Sequence, residues 1–271
     1  MADFSQQLNT LREGIDELDS QLVELLAKRS ALTTQVGQIK AEAGMPVYVP
    51  EREKALITSR RAQAEAQGVS PDLTEDLLRR IMRESYHTQN NRYRCVNPSL
   101  GQVVVIGGAG ALGKVFVGLF ERSGYQVTVV EQEDWQSGDA QQTLSQAALV
   151  IVAVPINVTE HVIAQLTMLP EDCILADITS IKDKPLKAML EAHQGPVVGL
   201  HPMFGPDAPG MIKQVVVVCD GRQQQRYRWL IDQMRIWGAT IHQSTSQEHN
   251  KAMAYIQVIL HFNNFVYGKD L

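Results

Sequence analysis

The chain has 271 residues, 44% of them hydrophobic, and a formal net charge of -5. That apolar share supports one large or two ordinary domains, and the acidic balance without a long basic block leaves no electrostatic footprint for nucleic acid. No run of about 18 apolar residues could span a membrane, Met1 to Asn9 lack the apolar core of a signal peptide, and Cys95, Cys173 and Cys219 are far apart with no metal-ligand spacing; the expectation is a cytoplasmic protein with free thiols, no metal and small-molecule partners.

From the N-terminus, Leu8, Ile15, Leu22 and Val36 fall seven or fourteen apart, with Leu11, Leu18, Leu25, Leu32 and Ile39 as a companion seam. This predicts a long helix with an apolar a/d stripe. The remaining position of the first seam is Arg29, a guanidinium where an aliphatic side chain belongs. Buried, it needs an anionic partner; otherwise its stem snorkels or it meets a structural acid. Lys40, eleven residues on, lies within about 20° of the same helix face. Val47 to Glu53 opens a second helix carrying another cation, Arg52, and Arg83 to Gln89 closes a third with neutral donors.

From Leu8 to Gln89 these dispersed positions resemble the all-helical chorismate mutase family. The resemblance implies that Arg29 and Arg52 hold substrate carboxylates, Lys40 and Gln89 bond the ether oxygen, Glu53 orients the hydroxyl and Ser85 assists a carboxylate. It also implies a role for Arg12 from a second copy of the chain. Arg12 and Arg29 are separated by about 25 Å along one helix, too far to share one small dianion, so a homodimer is expected. Val49 stands where the family often has an acid. The implied reaction, chorismate to prephenate, is pericyclic and builds negative charge on the ether oxygen, so placed cations are needed and no nucleophile is.

A boundary is expected near Val96 to Gly101, after which Val/Ile-rich runs alternate with helical stretches to about residue 243. The expectation is a parallel sheet with helices in right-handed crossovers and strands near 102–107, 126–131, 148–154, 173–178, 196–200 and 214–219. The first strand runs into Gly107-Gly108-Ala109-Gly110-Ala111-Leu112-Gly113. Gly108 is read as the tight turn, Gly110 as the point of pyrophosphate approach and Gly113 as the close helix contact, with Ala111 and Leu112 opening a helix whose N-terminus faces phosphates. Glu131 ends the next strand, placed to accept hydrogen bonds from a ribose diol and to repel a 2′-phosphate, so NAD is the expected cofactor.

For a proton acceptor, His201 is the best placed histidine, read as opening a loop through Pro206 at the strand end where such sheets bind ligands. Asp177 to Lys182 leaves another strand at the same end; its plain reading is a helix cap by Ser180 or Asp183. After about Ser246 a helical pattern returns, with Ala252, Met253, Ile256, Ile259, Leu260 and Phe265 as an apolar stripe.

The glycine loop with Glu131, the Asp177 to Lys182 cluster, the His201 to Pro206 loop, and Glu248, His249 and Gln257 resemble the prephenate dehydrogenase family. The whole chain is similar to the bifunctional chorismate mutase/prephenate dehydrogenases of tyrosine biosynthesis, in which one half makes the substrate of the other. The resemblance implies that His201 accepts the hydrogen bond of the ring hydroxyl, Ser180 assists, His249 places the substrate, Lys182 aids its carboxylates or the nicotinamide, and tyrosine is a feedback inhibitor. It also implies a helical part beyond Leu271, and Asn250 stands in place of a usual aspartate. The expected fold is α plus α/β: a helical mutase domain over 1–95, a linker over 96–101, a Rossmann-type NAD domain over 102–245, and the start of a helical dimerisation domain over 246–271. Two alternatives stay open at this stage: another NAD enzyme, acting on arogenate or a hydroxy acid, fused to a mutase; and an active mutase with an NAD-binding but redox-inactive module.

Overall fold

The computed structural model describes all residues except 1, 44, 46, 89–91, 206, 207, 209 and 268–271; at 2, 3, 87, 88 and 257–267 it describes the backbone alone. Contacts divide the chain into two compact units, Met1–Asn91 and Arg92–Leu271. The first holds three helices, α1 (Ala2–Glu42), α2 (Pro50–Ala66) and α3 (Pro71–Thr88). Pro50 starts α2 with its ring at the first helical position, where a missing N–H costs nothing. Gly68, at φ +71°, turns the chain out of α2, and Val69 N–H closes back on the Ala64 carbonyl at 2.9 Å. Ser70 then caps α3 by accepting the Leu73 N–H.

Ile57, Ala64 and Met82 are buried where α2 and α3 meet. On α1, every member of the two predicted seams is 45% to 67% exposed in the single chain. The heptad pattern forms the expected helix, yet its stripe is not covered by the chain's own α2 and α3.

The second unit is one seven-stranded sheet with helices in its connections. In chain order it contains β1 (Gln102–Ile106), α4 (Ala111–Arg122), β2 (Val127–Val130), α5 (Gln132–Ser137), α6 (Asp139–Leu144), β3 (Ala147–Val152), α7 (Ile156–Ala164), β4 (Ile174–Asp177), α8 (Asp183–Ala192), β5 (Val197–Pro202), β6 (Val215–Arg222), α9 (Gln224–Ile236), β7 (Thr240–Ser244) and α10 (Ser246–Tyr267). The strand order is β2-β1-β3-β4-β5-β6-β7. β1, β3 and β4 are near-continuous runs of buried Val, Ile, Leu and Ala, as strands covered on both faces must be.

Three features depart from the sequence expectation. β6 runs antiparallel to β5, so the sheet is parallel-dominated rather than parallel throughout. Their connection, 203–214, contains no helix among its described residues, and an antiparallel neighbour needs no crossover. β7, unforeseen, pairs in parallel with β6 at the sheet edge; its Thr-Ile-His-Gln-Ser run is polar and mostly exposed and carries no buried-strand signal. The antiparallel ladder also lengthens β5: His201 pairs with Val217 and Pro202 with Val216, so His201 lies within the strand rather than opening a loop.

Residues 93–97 pack into the second unit. Buried Gln233 accepts the Val96 N–H at 2.9 Å and donates to the Arg94 carbonyl at 3.0 Å. No helix among the described residues is long and apolar enough to cross a membrane.

Candidate active sites

In the first unit, a pocket of about 170 Å³ gathers Arg29 and Lys40 from α1, Arg52 and Glu53 from α2, and Ser85 from α3. Arg29 Nη1 donates to Ser85 Oγ at 2.5 Å, and Ser85 donates to the Ile81 carbonyl at 2.8 Å, which turns its lone pairs toward the guanidinium. Arg29 therefore meets a hydroxyl, which leaves its charge available to a ligand. Lys40 Nζ donates to the Val47 carbonyl at 2.9 Å. Partial burial holds its pKa below the ordinary 10.5, and an ammonium has two further donors to offer.

Glu53 is 7% exposed and is not bare: Tyr86 Oη donates to it at 2.9 Å and Arg79 Nη1 at 3.3 Å. Burial, then the bond to Glu53, raises the Tyr86 phenol above its usual range. Sequence reading passed over Arg79 and Tyr86; the cue available was that a buried acid requires a donor. Val49 lines the same pocket, Arg12 is exposed elsewhere on α1, and Gln89 lies outside the described residues. Three cations thus face one buried carboxylate that is already paired, an environment for a small polyanion.

In the second unit, the crevice opens at the C-terminal ends of β1, β2 and β3, where the strand order reverses from β1 to β3. A cavity of about 630 Å³ there is lined by Gly107, Gly110, Glu131 and Val154 among others. The tight turn is made by Gly107, at φ +78°, and not by Gly108. Gly108 is required for packing, since a Cβ there would stand 2.7 Å from Val129 Cγ2. At Gly113 a Cβ would strike the Gly107 carbonyl and stand 2.8 Å from Gly108 Cα. We expect Gly113→Ala to lose about 1–3 kcal/mol of stability through overpacking and to weaken dinucleotide binding, measured as urea midpoint and NADH titration.

Gly110 caps α4 with no side chain, so the first-turn N–H groups at Ala111, Leu112 and Gly113 face outward. Glu131 Oε1 accepts the Ala109 N–H at 2.7 Å, and its own N–H donates to Asp134 at 2.7 Å, which holds the carboxylate beside the glycine turn. A glycine cradle with no room for Cβ atoms, an uncapped helix start and a fixed carboxylate fit NAD.

A third group lies at the C-terminal ends of β4 and β5. Thr245 and Glu248 cap α10 reciprocally, Thr245 N–H donating to Glu248 at 3.2 Å and Glu248 N–H to Thr245 Oγ1 at 3.2 Å. This aims His249, in the first turn, at His201: His201 Nδ1 lies 2.8 Å from His249 Nε2. His201 Nε2 has no hydrogen bond among the described residues. Burial, then His249, then Lys182 push the His201 pKa down to about 4. Ser180 is exposed, and the N-cap of α8 is Lys182 with no side-chain cap bond, so neither Ser180 nor Asp183 caps it.

Lys182 departs most from expectation. Its side chain is fully buried, with Nζ donating to Asp177 Oδ2 at 2.5 Å and to the Leu200 carbonyl at 2.6 Å. Its stem crosses Gly199, where a Cβ would stand 3.2 Å from Lys182 Cδ. Thr179 also donates to Asp177 from both its N–H and its hydroxyl. Lys182 therefore cannot reach a ligand; it ties β4 to β5 beneath His201. We expect Lys182→Met to destabilise this unit by about 3–5 kcal/mol, because Asp177 is left buried without its cation. Pairing it with Asp177→Leu should restore most of the loss in urea unfolding. The side chain of Gln257, and Pro206, lie outside the described residues.

The chorismate mutase type II family matches residues 11–90, and the prephenate dehydrogenase nucleotide-binding domain matches residues 123–238. The T-protein of Enterobacter agglomerans is 51% identical over 266 residues, 98% of this chain and 71% of that protein. The chain belongs to the T-protein family. The T-protein of Haemophilus influenzae, at 47% identity over 270 residues, likewise aligns with 99% of this chain and 71% of its own length. Prephenate dehydrogenase from Aquifex aeolicus shares the fold of the second unit, with a TM-score of 0.50, 16% identity, and coverage of 62% of this chain and 70% of that one. As a T-protein family member, the chain is a bifunctional chorismate mutase and NAD-dependent prephenate dehydrogenase of tyrosine biosynthesis.

Proposed function

We propose that the pocket of residues 1–91 carries the mutase reaction and the His201 cluster of residues 92–271 the dehydrogenase reaction. The convergence of Arg29, Lys40 and Arg52 on one pocket supports the first assignment. Arg29 and Arg52 hold the chorismate dianion in its compact form, assisted by Ser85. Glu53, held by Tyr86 and Arg79, orients the hydroxyl. Lys40 and Gln89 donate to the ether oxygen, more strongly as its charge grows. The exposed α1 seams support a homodimer in which a second copy covers the stripe and brings Arg12 to the pocket. Arg12→Ala and Arg29→Ala, each inactive alone, should regain mutase activity when mixed, since a heterodimer carries one intact site.

In the second unit, the α4 N-terminus and the glycine turn would hold the pyrophosphate of NAD and Glu131 its ribose diol, and the dinucleotide would supply a hydride acceptor. His201, the one member of the histidine pair with an open ring nitrogen, takes the proton of the prephenate hydroxyl at Nε2, while Ser180 assists and His249, with both ring nitrogens engaged, holds the His201 ring rather than the substrate. Release of carbon dioxide leaves 4-hydroxyphenylpyruvate. Lys182 acts by positioning rather than by contact. Family membership also supports tyrosine as feedback inhibitor, and the three unpaired cysteines a cytoplasmic location. Chorismate with and without NAD tests the assignment: loss of chorismate together with NADH supports both sites, loss without NADH selects the redox-inactive alternative, and loss of neither overturns the reading.

A further inference from the structure

Behind His201 runs a chain of hydrogen bonds whose direction is set at its far end. The Lys182 backbone N–H can only donate, and it lies 3.0 Å from Asn250 Oδ1. That fixes the amide orientation, since the flipped form would oppose two donors. The same Oδ1 lies 3.2 Å from His249 Nδ1, and an amide oxygen can only accept, so Nδ1 of His249 carries the proton. Neutral His249 then presents a lone pair at Nε2. His201 Nδ1, 2.8 Å away, must be the donor, which leaves Nε2 of neutral His201 without a proton.

We propose that Asn250 is a positioning residue that, through His249, locks His201 in its Nδ1–H tautomer and so keeps Nε2 bare to receive the substrate hydroxyl proton. This rests on the reading of His201 as proton acceptor. In the transfer the O–H bond breaks, its electron pair stays on oxygen as the carbonyl forms, and the proton bonds to Nε2 to give an imidazolium still tied to His249. The amide is neutral throughout, so it sets the tautomer without stabilising the charged ring. The charged groups facing the pair are Lys182 at the start of α8 and Asp177 on β4. Burial lowers both histidines and Lys182 adds to it, with Asn250 and Asp177 opposing at His249, so the pair is neutral around pH 7.

Nitrogen NMR of the full chain labelled with 15N-histidine, without cofactor, reads the tautomer directly. The expected result is an unprotonated Nε2 for His201; a protonated Nε2 in the unaltered protein overturns the proposal. Asn250→Leu removes the acceptor and should let both rings flip, moving the proton to His201 Nε2. It should also lower dehydrogenase kcat about tenfold or more while NADH binding is kept. Asn250→Asp keeps an acceptor but adds an anion, which favours the imidazolium. It should preserve most of kcat at alkaline pH and move the acid limb of kcat/KM upward by about one unit or more. Leucine and aspartate variants with the wild-type tautomer and pH profile would reduce Asn250 to a helix-packing residue and overturn the proposal. Full activity of His201→Asn would instead remove the underlying reading, whatever the NMR shows.

Discussion

Replacing Lys40 by alanine is expected to lower mutase kcat by about 10²–10³-fold while KM changes only a few-fold. Lys40 Nζ is anchored by the Val47 carbonyl, so its position does not depend on substrate, and its remaining donors meet an oxygen whose charge appears only on the way to the transition state. Arg29 and Arg52 act on carboxylates charged in both states, and their alanine variants should raise KM as well. Equal losses in kcat and binding for Lys40→Ala would remove it from the ether oxygen. Burial also lowers the Lys40 pKa, and the ammonium is the form that donates. The mutase rate should therefore fall on the alkaline side at a pH below the ordinary lysine value, and dehydrogenase measurements on the same preparation should not show that limb.

His201→Asn should lower dehydrogenase kcat by about 10²–10⁴-fold with the mutase rate unchanged. Asparagine keeps a polar group of similar reach but cannot take a proton. In the unaltered protein the His201 pKa is about 4, so the neutral ring persists well below the usual 6.5, and the acid limb of kcat/KM in the free protein should lie correspondingly low. The stability consequence has a definite sign. The folded state binds fewer protons than the unfolded state between about 6.5 and about 4, so the histidine subtracts stability as pH falls through that window. His201→Asn should flatten the fall in urea midpoint from pH 7 to pH 4.5. An unchanged slope would show that burial of this ring does not set the acid sensitivity.

What could be read from residue order was local. The heptad spacing specified α1, since an apolar stripe repeats with the helical turn whatever covers it. The run from Val103 to Gly113, with Glu131 after it, specified strand, turn, helix and dinucleotide crevice, because steric limits at glycine act within a few residues. Even there the assignment slipped by one position: Gly107, not Gly108, carries the positive φ. In the mutase pocket Arg29 was legible as a charge out of place in an apolar pattern and Lys40 as a cation on the same helix face, whereas the roles of Arg52, Glu53 and Ser85 came from the family resemblance. Arg79 and Tyr86 were not, because ordinary helix-surface residues acquire their role only by meeting Glu53 across α2 and α3.

By itself the sequence determined that a long amphipathic helix precedes a nucleotide-binding α/β unit, and which residues could bear charge or a proton. The tertiary structure alone decided that β6 reverses against β5 and draws His201 into the strand, that edge strand β7 exists, and that Lys182 points inward to Asp177. It also brought His201 to His249 and Asn250 to Lys182, pairs 48 and 68 positions apart. Propensity and periodicity act over one or two turns of chain, whereas the partner of a buried charge or ring nitrogen is chosen by which strands and helices pack together.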